Sequence, residues 1–193
     1  MKNKSILYAC AVLGIIVLIG VVGVMMTPIN VTSEGLWGAE MLNISYLAKG
    51  SDVIVMGEVK EILPSRWTTT DGKRPIILDR ERIYTDTIIK VDDYLMNPQP
   101  SKEIIVRTLG GTVGNDRMID FDEAEFEPNE KVLLLLTTED PFSKDIGGQH
   151  YRVIGWMHGK FKITNDRAIR PKLPKEHQDL PLQEVLKRIQ ESK

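Results

Sequence analysis

The sequence predicts a mainly β protein, a small closed or half-closed antiparallel barrel of five to six strands, carried behind one N-terminal transmembrane helix. Three observations lead there. Residues 6–26 are uncharged and predominantly apolar, short runs between 51 and 163 alternate apolar with polar residues or are apolar throughout, and helical periodicity is confined to one segment before those runs and one after them. Strands that follow one another without intervening helices pair antiparallel, and a small sheet removes its edges by curling onto itself.

Residues 6–26 come first. At a rise of roughly 1.5 Å per residue a helix of this length crosses a hydrocarbon layer of about 30 Å. Lys2 and Lys4 precede it, whereas Glu34 and Glu40 follow and no basic residue occurs until Lys49. The positive-inside bias then makes residues 1–5 a cytoplasmic tail, residues 27–33 a stalk and residues 34–193 an extracytoplasmic domain of a single-pass cell-membrane protein. A cleaved signal peptide would have a shorter apolar core and a small-x-small site, for which only Val21-Val22-Gly23 offers itself. A lipoprotein cysteine at Cys10 would come too early in the apolar run.

The bulk numbers agree with one domain. The chain has 193 residues, 42% of them hydrophobic and 27% charged, and a formal charge of -2. Removing Lys2 and Lys4 from the 25 basic residues leaves 23 against 27 acidic ones, a balance that argues against a nucleic-acid partner. The one cysteine, Cys10, lies in the apolar segment, so the outer domain has neither disulfides nor thiolate chemistry.

Along the outer chain, Trp37, Met41, Ile44 and Ala48 recur at the spacing of one helical face, and Gly50 stands where that helix would end. Residues 51–60 then read as a strand, apolar on both faces at first and alternating afterwards. Ile83, Thr85, Thr87, Ile89 and Val91 alternate with Tyr84, Asp86, Ile88, Lys90 and Asp92, the period-two pattern of a strand with one buried face. Residues 103–109 give a third strand. Residues 131–138, with four consecutive leucines, give a fourth that is buried on both faces. Residues 151–156 and 159–163 read as a closing pair. Leu182, Val185, Leu186 and Ile189 mark a terminal helix docked on the sheet, with Asp179 and Pro181 at its start.

Residues 51–59, the loop after them, and Ile83-Tyr84-Thr85 leading into Ile88-Ile89-Lys90-Val91 resemble the opening of the OB-type barrel of netrin-like and metalloproteinase-inhibitor domains. Asn129 to Leu136 resembles a later strand of that fold. Inhibitors of that family use a terminal cysteine as the zinc-binding group, and disulfides pin it; this chain departs from the pattern in lacking both. Leu109-Gly110-Gly111-Thr112-Val113-Gly114 and Gly155-Trp156-Met157-His158-Gly159-Lys160-Phe161 are similar to stretches of uncharacterised prokaryotic envelope proteins, a resemblance that implies no activity.

Motifs for chemistry are sparse. Gly110-Gly111-Thr112-Val113-Gly114 lacks the following helix and the Lys-Ser/Thr pair of a phosphate loop, so it reads as a turn. Asp120, Asp122, Glu123, Glu125 and Glu127 do not have EF-hand spacing, and read as a charged connection with Phe121 and Phe126 dipping into the core. His150, His158 and His177 show no zinc-protease spacing, and no Gly-x-Ser-x-Gly elbow is present. No cofactor, metal site or catalytic residue is expected. The connection from 63 to 82 is longer than a hairpin needs and carries Arg66, Trp67, Lys73 and Arg74. Long loops of this kind bind ligands or cap a barrel end. Arg66, Trp67 and Arg74, with Trp156 and His158, are therefore the candidate ligand-binding residues. Asn30 and Asn43 head the two glycosylation sequons.

The expected function is that of a membrane-anchored binding or interaction module. Its partner would be another envelope protein or a surface ligand, in addition to the membrane reached through residues 6–26. The alternatives are a metal-assisted envelope hydrolase using His150 or His158, and a protease inhibitor.

Overall fold

A computed structural model of the chain describes residues 27–35, 37–143 and 145–192, together with Leu13 and Val17. The anchor expected at 6–26 lies outside these residues, Leu13 and Val17 apart. Among the described residues no helix is long and apolar enough to cross a membrane.

The protein is mainly β. In chain order the strands are β1 (Asn30–Ser33), β2 (Val53–Ile62), β3 (Arg66–Trp67), β4 (Ile83–Met96), β5 (Glu103–Leu109), β6 (Gly111–Val113), β7 (Asp116–Asp120), β8 (Lys131–Thr137), β9 (Arg152–Val153), β10 (Lys160–Thr164), β11 (Arg167–Ile169) and β12 (Asp179–Pro181). The α-helices are α1 (Ile44–Gly50), α2 (Lys175–Gln178) and α3 (Leu182–Gln190), and a 3-10 turn spans Ala39–Leu42. The large sheet runs β12-β11-β10-β8-β2-β4-β3, with β5 also on β4 and β9 also on β8, and a small sheet runs β1-β7-β6.

Four consecutive leucines in β8 do divide between two cores. Leu134 and Leu136 join Val53, Val55, Val59, Ile89 and Val106 on the concave face. Leu133 and Leu135 face the other way, onto Ile44, Leu47, Phe161, Val185 and Ile189, so α1 and α3 cover the convex face. Full burial of one such side chain is worth roughly 1.5–3 kcal/mol, which makes this central strand the stabilising spine.

Pairing of β2 with β4 slips at three places, between Ile54 and Val55, Met56 and Gly57, and Val59 and Glu61. Each slip adds twist and bends the sheet. Gly57 sits at one of them because a Cβ there would lie 2.4 Å from the Lys90 carbonyl oxygen.

The bent sheet is nevertheless not closed into a barrel. Its margins meet at one isolated parallel bridge between Val106 and Tyr151, where the Arg107 N–H donates to the Tyr151 carbonyl at 2.8 Å and the Tyr151 N–H to that of Ile105 at 2.9 Å. The expected closed or half-closed barrel is thus corrected to a curled, open sheet. The margin cannot extend, because β9 is two residues long and Gly155 and Trp156, both at positive φ, turn the chain away. For the same reason 151–156 and 159–163 are not a pair with each other: β9 and β10 bind successive parts of one edge of β8.

Three further expectations change. Residues 30–33, read as stalk, form β1, which lies parallel to β7. The helix read from Trp37 to Ala48 breaks at Asn43, whose extended backbone ends the 3-10 turn and whose Oδ1 accepts from the Ser45 and Tyr46 N–H groups to start α1. Phe121 is exposed, while Phe126 packs on the concave core.

Candidate functional site

The loop between β8 and β9 is held by buried charge. Arg107, fully buried on β5, makes two bonds to Asp86 at 2.7 and 2.8 Å. Its other donors reach the Ser143 Oγ at 3.0 Å and the Ile146 carbonyl at 2.7 Å, and the Tyr84 ring lies 3.9 Å from the guanidinium. Asp140 then accepts from the Ser143 hydroxyl and from the Phe142 and Ser143 N–H groups. His150 Nε2 lies 2.9 Å from Asp140, and its Nδ1 faces the Gly148 carbonyl at 2.8 Å. Burial pushes the Asp140 carboxyl up, but hydrogen bonds from His150, Ser143 and Phe142, with the Arg152 charge nearby, outweigh it and hold Asp140 well below the usual carboxylate range.

This trio of Ser143, Asp140 and His150 is not a nucleophilic triad. Catalysis needs the histidine between the hydroxyl and the carboxylate. Here both Ser143 and His150 bind the carboxylate, and His150 has both ring nitrogens committed elsewhere. The network fixes a loop.

Next to it stands an aromatic corner built by the turn from β9 to β10. Trp156 has φ 58°, a left-handed conformation that is a genuine outlier for a bulky side chain. Around it the Asp122 carbonyl accepts from the Met157 N–H at 2.8 Å, and the Gly155 carbonyl accepts from the His158 N–H at 3.0 Å and its Nδ1–H at 2.7 Å. Because a carbonyl only accepts, His158 Nδ1 carries the proton. Burial, with Arg170 nearby, pushes the His158 pKa down, which favours the neutral ring.

The Trp156 indole packs on Trp37 with 4.6 Å between centroids, the edge of His158 meets Trp37 at 5.8 Å, and the Arg152 guanidinium lies 5.2 Å over the Trp156 ring. Trp156 and Arg152 form walls of an open cavity of 420 Å³, whose polar side is Asp52, Thr137, Thr138 and Glu139. Asp52 accepts from the Thr138 N–H and from both threonine hydroxyls, which hold its carboxyl below the ordinary value, the Thr138 N–H most of all. Buried Arg152 pairs with Glu123 and lies 3.8 Å from Asp140, while its Nε has no hydrogen-bond partner among the described residues. Burial pushes the Glu123 carboxyl up to about 7 against the pull of Arg152.

A second cavity of 310 Å³ lies between β5 and the β6-β7 hairpin, lined by Thr85, Thr87, Thr108 and Arg117 with Glu123 at its floor. Gly111 belongs to its wall because a Cβ at that position would lie 2.1 Å from the Ser65 Oγ. This close approach, at a φ of 132°, accounts for the glycine pair without any phosphate.

Of the five residues singled out from sequence, the fold brings Trp156 and His158 to one corner and leaves Arg66, Trp67 and Arg74 elsewhere. Trp67 is fully buried against Ile83 and Met118, so its ring seals the small sheet and is closed to a ligand. Arg66 is exposed beside it on β3. Arg74 pairs with Asp116 at 3.2 Å. His158 itself is buried beneath the corner, as support. Trp37, Asp52 and Arg152 were not foreseen; a positive charge in the apolar stretch Tyr151-Arg152-Val153-Ile154 was the available signal for the last.

The acidic run disperses to separate partners: Asp122 caps the Gly35 N–H, Glu123 meets Arg152, Glu125 meets Lys172 and Glu127 meets Lys162. Among the described residues no three His, Cys, Asp or Glu side chains gather in a set that could hold a metal. Asn30 is exposed on β1, and Asn43 is exposed but caps α1. Compared with family models, curated proteins and solved structures, the chain matches none.

Proposed function

We propose that the chain is a membrane-anchored extracytoplasmic binding module whose ligand site is the Trp156 cavity. The observation that carries this reading is the strained backbone of Trp156: a bulky residue is kept left-handed in a cavity wall, and such conformations concentrate at ligand sites. The cavity combines one aromatic face with a cation, carboxylates and hydroxyl groups, so it suits a small polar ligand with one flat apolar side.

The finer architecture fits the same reading. The order β5-β4-β2-β8-β9, with β5 parallel to the entry of β9, is the strand order of an OB barrel left unclosed, in keeping with the resemblance of residues 51–59 and 129–136. Such scaffolds carry binding sites on loops between strands. The uncharged run at 6–26, with lysines before it, supports anchorage and an outward-facing domain.

A photo-reactive residue in place of exposed Glu139, on the cavity rim, tests the site in intact cells. Capture of a species that is lost when Trp156→Asn is added supports the reading. Equal capture in both backgrounds rejects the cavity as the site.

A further inference from the structure

We infer that the tip of the loop between β3 and β4, Ile76-Ile77-Leu78, inserts into the outer surface of the lipid bilayer and seats the domain against the membrane. The inference rests on the anchor reading of residues 6–26 and adds a second membrane contact to it.

Ile76, Ile77 and Leu78 are 81%, 79% and 41% exposed, the only three consecutive large apolar side chains exposed among the described residues. A soluble surface tolerates single apolar residues readily, but a contiguous cluster rimmed by polar ones marks a surface that meets something apolar. The chain on either side of the tip carries Lys73, Arg80 and Arg82 among Asp71, Asp79 and Glu81, and the cations have apolar stems and charged heads that suit the headgroup layer.

The place of the tip identifies the apolar partner. The Arg74 guanidinium donates to the Thr27 carbonyl at 2.8 Å and pairs with Asp116 at 3.2 Å. Asp116 in turn accepts from the Ile29 N–H at 2.9 Å, and the Arg117 N–H donates to the Ile29 carbonyl at 2.7 Å. This clamp ties the base of the loop to residues 27–29, and the two segments share a cleft lined by Pro28, Ile29, Pro75, Ile76 and Leu78. Thr27 directly follows the uncharged run that ends at Met26. A tip fixed to the residue at which an anchor leaves the bilayer is held at the height of the headgroups, so the lipid surface is its nearest apolar phase.

The test uses the full chain with Cys10→Ser, in vesicles of phosphatidylcholine and phosphatidylglycerol, with Ile77→Cys carrying an environment-sensitive fluorophore. Lipids with a nitroxide on the acyl chain report depth. The expected result is a blue-shifted label quenched by about half or more, as for a side chain at the acyl boundary, with no quenching of the same label at exposed Asp93→Cys on β4. Ile76→Asp with Leu78→Asp should abolish the quenching at 77 while the chain still floats with the vesicles.

A floating chain whose label at 77 is unquenched overturns the inference and leaves the anchor standing. A blue shift without lipid quenching also overturns it, since the tip is then covered by protein, a second copy included. A chain that fails to float overturns the anchor reading itself.

Discussion

Replacing Trp156 by asparagine separates a residue kept for its ring from one kept for packing. Holding an L-residue left-handed costs roughly 1–2 kcal/mol, and asparagine tolerates that region better than most residues. Against this relief stand the tilted contact with Trp37, worth about 0.5–1.5 kcal/mol, and the contact with buried Arg152, worth about 0.5–2 kcal/mol. The two sides largely offset each other, so Trp156→Asn should lower stability by no more than about 1.5 kcal/mol. Removing a tryptophan from a well-packed core costs about 3–5 kcal/mol instead. Trp156→Ala loses the ring without easing the backbone, and should be about 1 kcal/mol less stable than the asparagine variant. Urea unfolding of the full chain in detergent, followed by far-ultraviolet circular dichroism, measures both. A loss of about 3 kcal/mol or more in Trp156→Asn would make the indole a core residue and refute the reasoning. Equal stability of the Asn and Ala variants would show that no strain is stored there.

Glu123 gives a pH dependence of definite sign. Its carboxyl is raised from its ordinary 4.5 to about 7, so its contribution to stability is present below about pH 4.5 and is lost as pH rises through about 7, by on the order of 3 kcal/mol. Glu123→Gln should flatten that part of the profile, read from urea midpoints between pH 4 and 8. Arg107→Met leaves the buried side of Asp86 and two loop carbonyls unpaired; it should cost about 3–5 kcal/mol and speed amide exchange at residues 142, 143 and 145–148. Gly57→Ala forces a Cβ to 2.4 Å from the Lys90 carbonyl and should lower stability by about 1–3 kcal/mol in the same unfolding assay.

What the sequence made legible follows from the range of the interactions. The alternation of β4 and the paired burial of the β8 leucines are local consequences of a period of two, and α3 follows from a period near 3.6. The small sheet was hidden because β1 and β7 lie parallel and are joined by residues 87 apart in the chain, with β6 only three residues long. No short-range pattern encodes such a pairing. Trp67 and Trp156 illustrate the same limit from the other side, since identical side chains in glycine- and arginine-bearing loops end up fully buried in one case and on a cavity wall in the other. The network of Arg107, Asp140, His150 and Arg152 could be suspected only as charges set in or beside apolar strands.

The strain at Trp156 has a mechanical origin in β8. Leu135 accepts from the Ile154 N–H at 2.9 Å and donates its own N–H to the Gly159 carbonyl at 2.9 Å, so both ends of the turn are fastened to one residue. The Gly159 N–H also donates to the Ile154 carbonyl at 3.1 Å. Four residues must therefore leave the edge of β8 and return to it, and the closure is made by positive φ at Gly155 and at Trp156 in succession. Glycine takes the first position without cost. Glycine or asparagine would relieve the second as well, so closure explains the backbone there but not the indole. Leu135 lies in the rigid two-sided core, and that rigidity lets the fold hold an unfavourable turn in place. The ring held there faces Trp37, Arg152 and an open cavity, which is why this corner is our proposed ligand site rather than the threonine-lined groove, whose backbone strain falls on glycines alone.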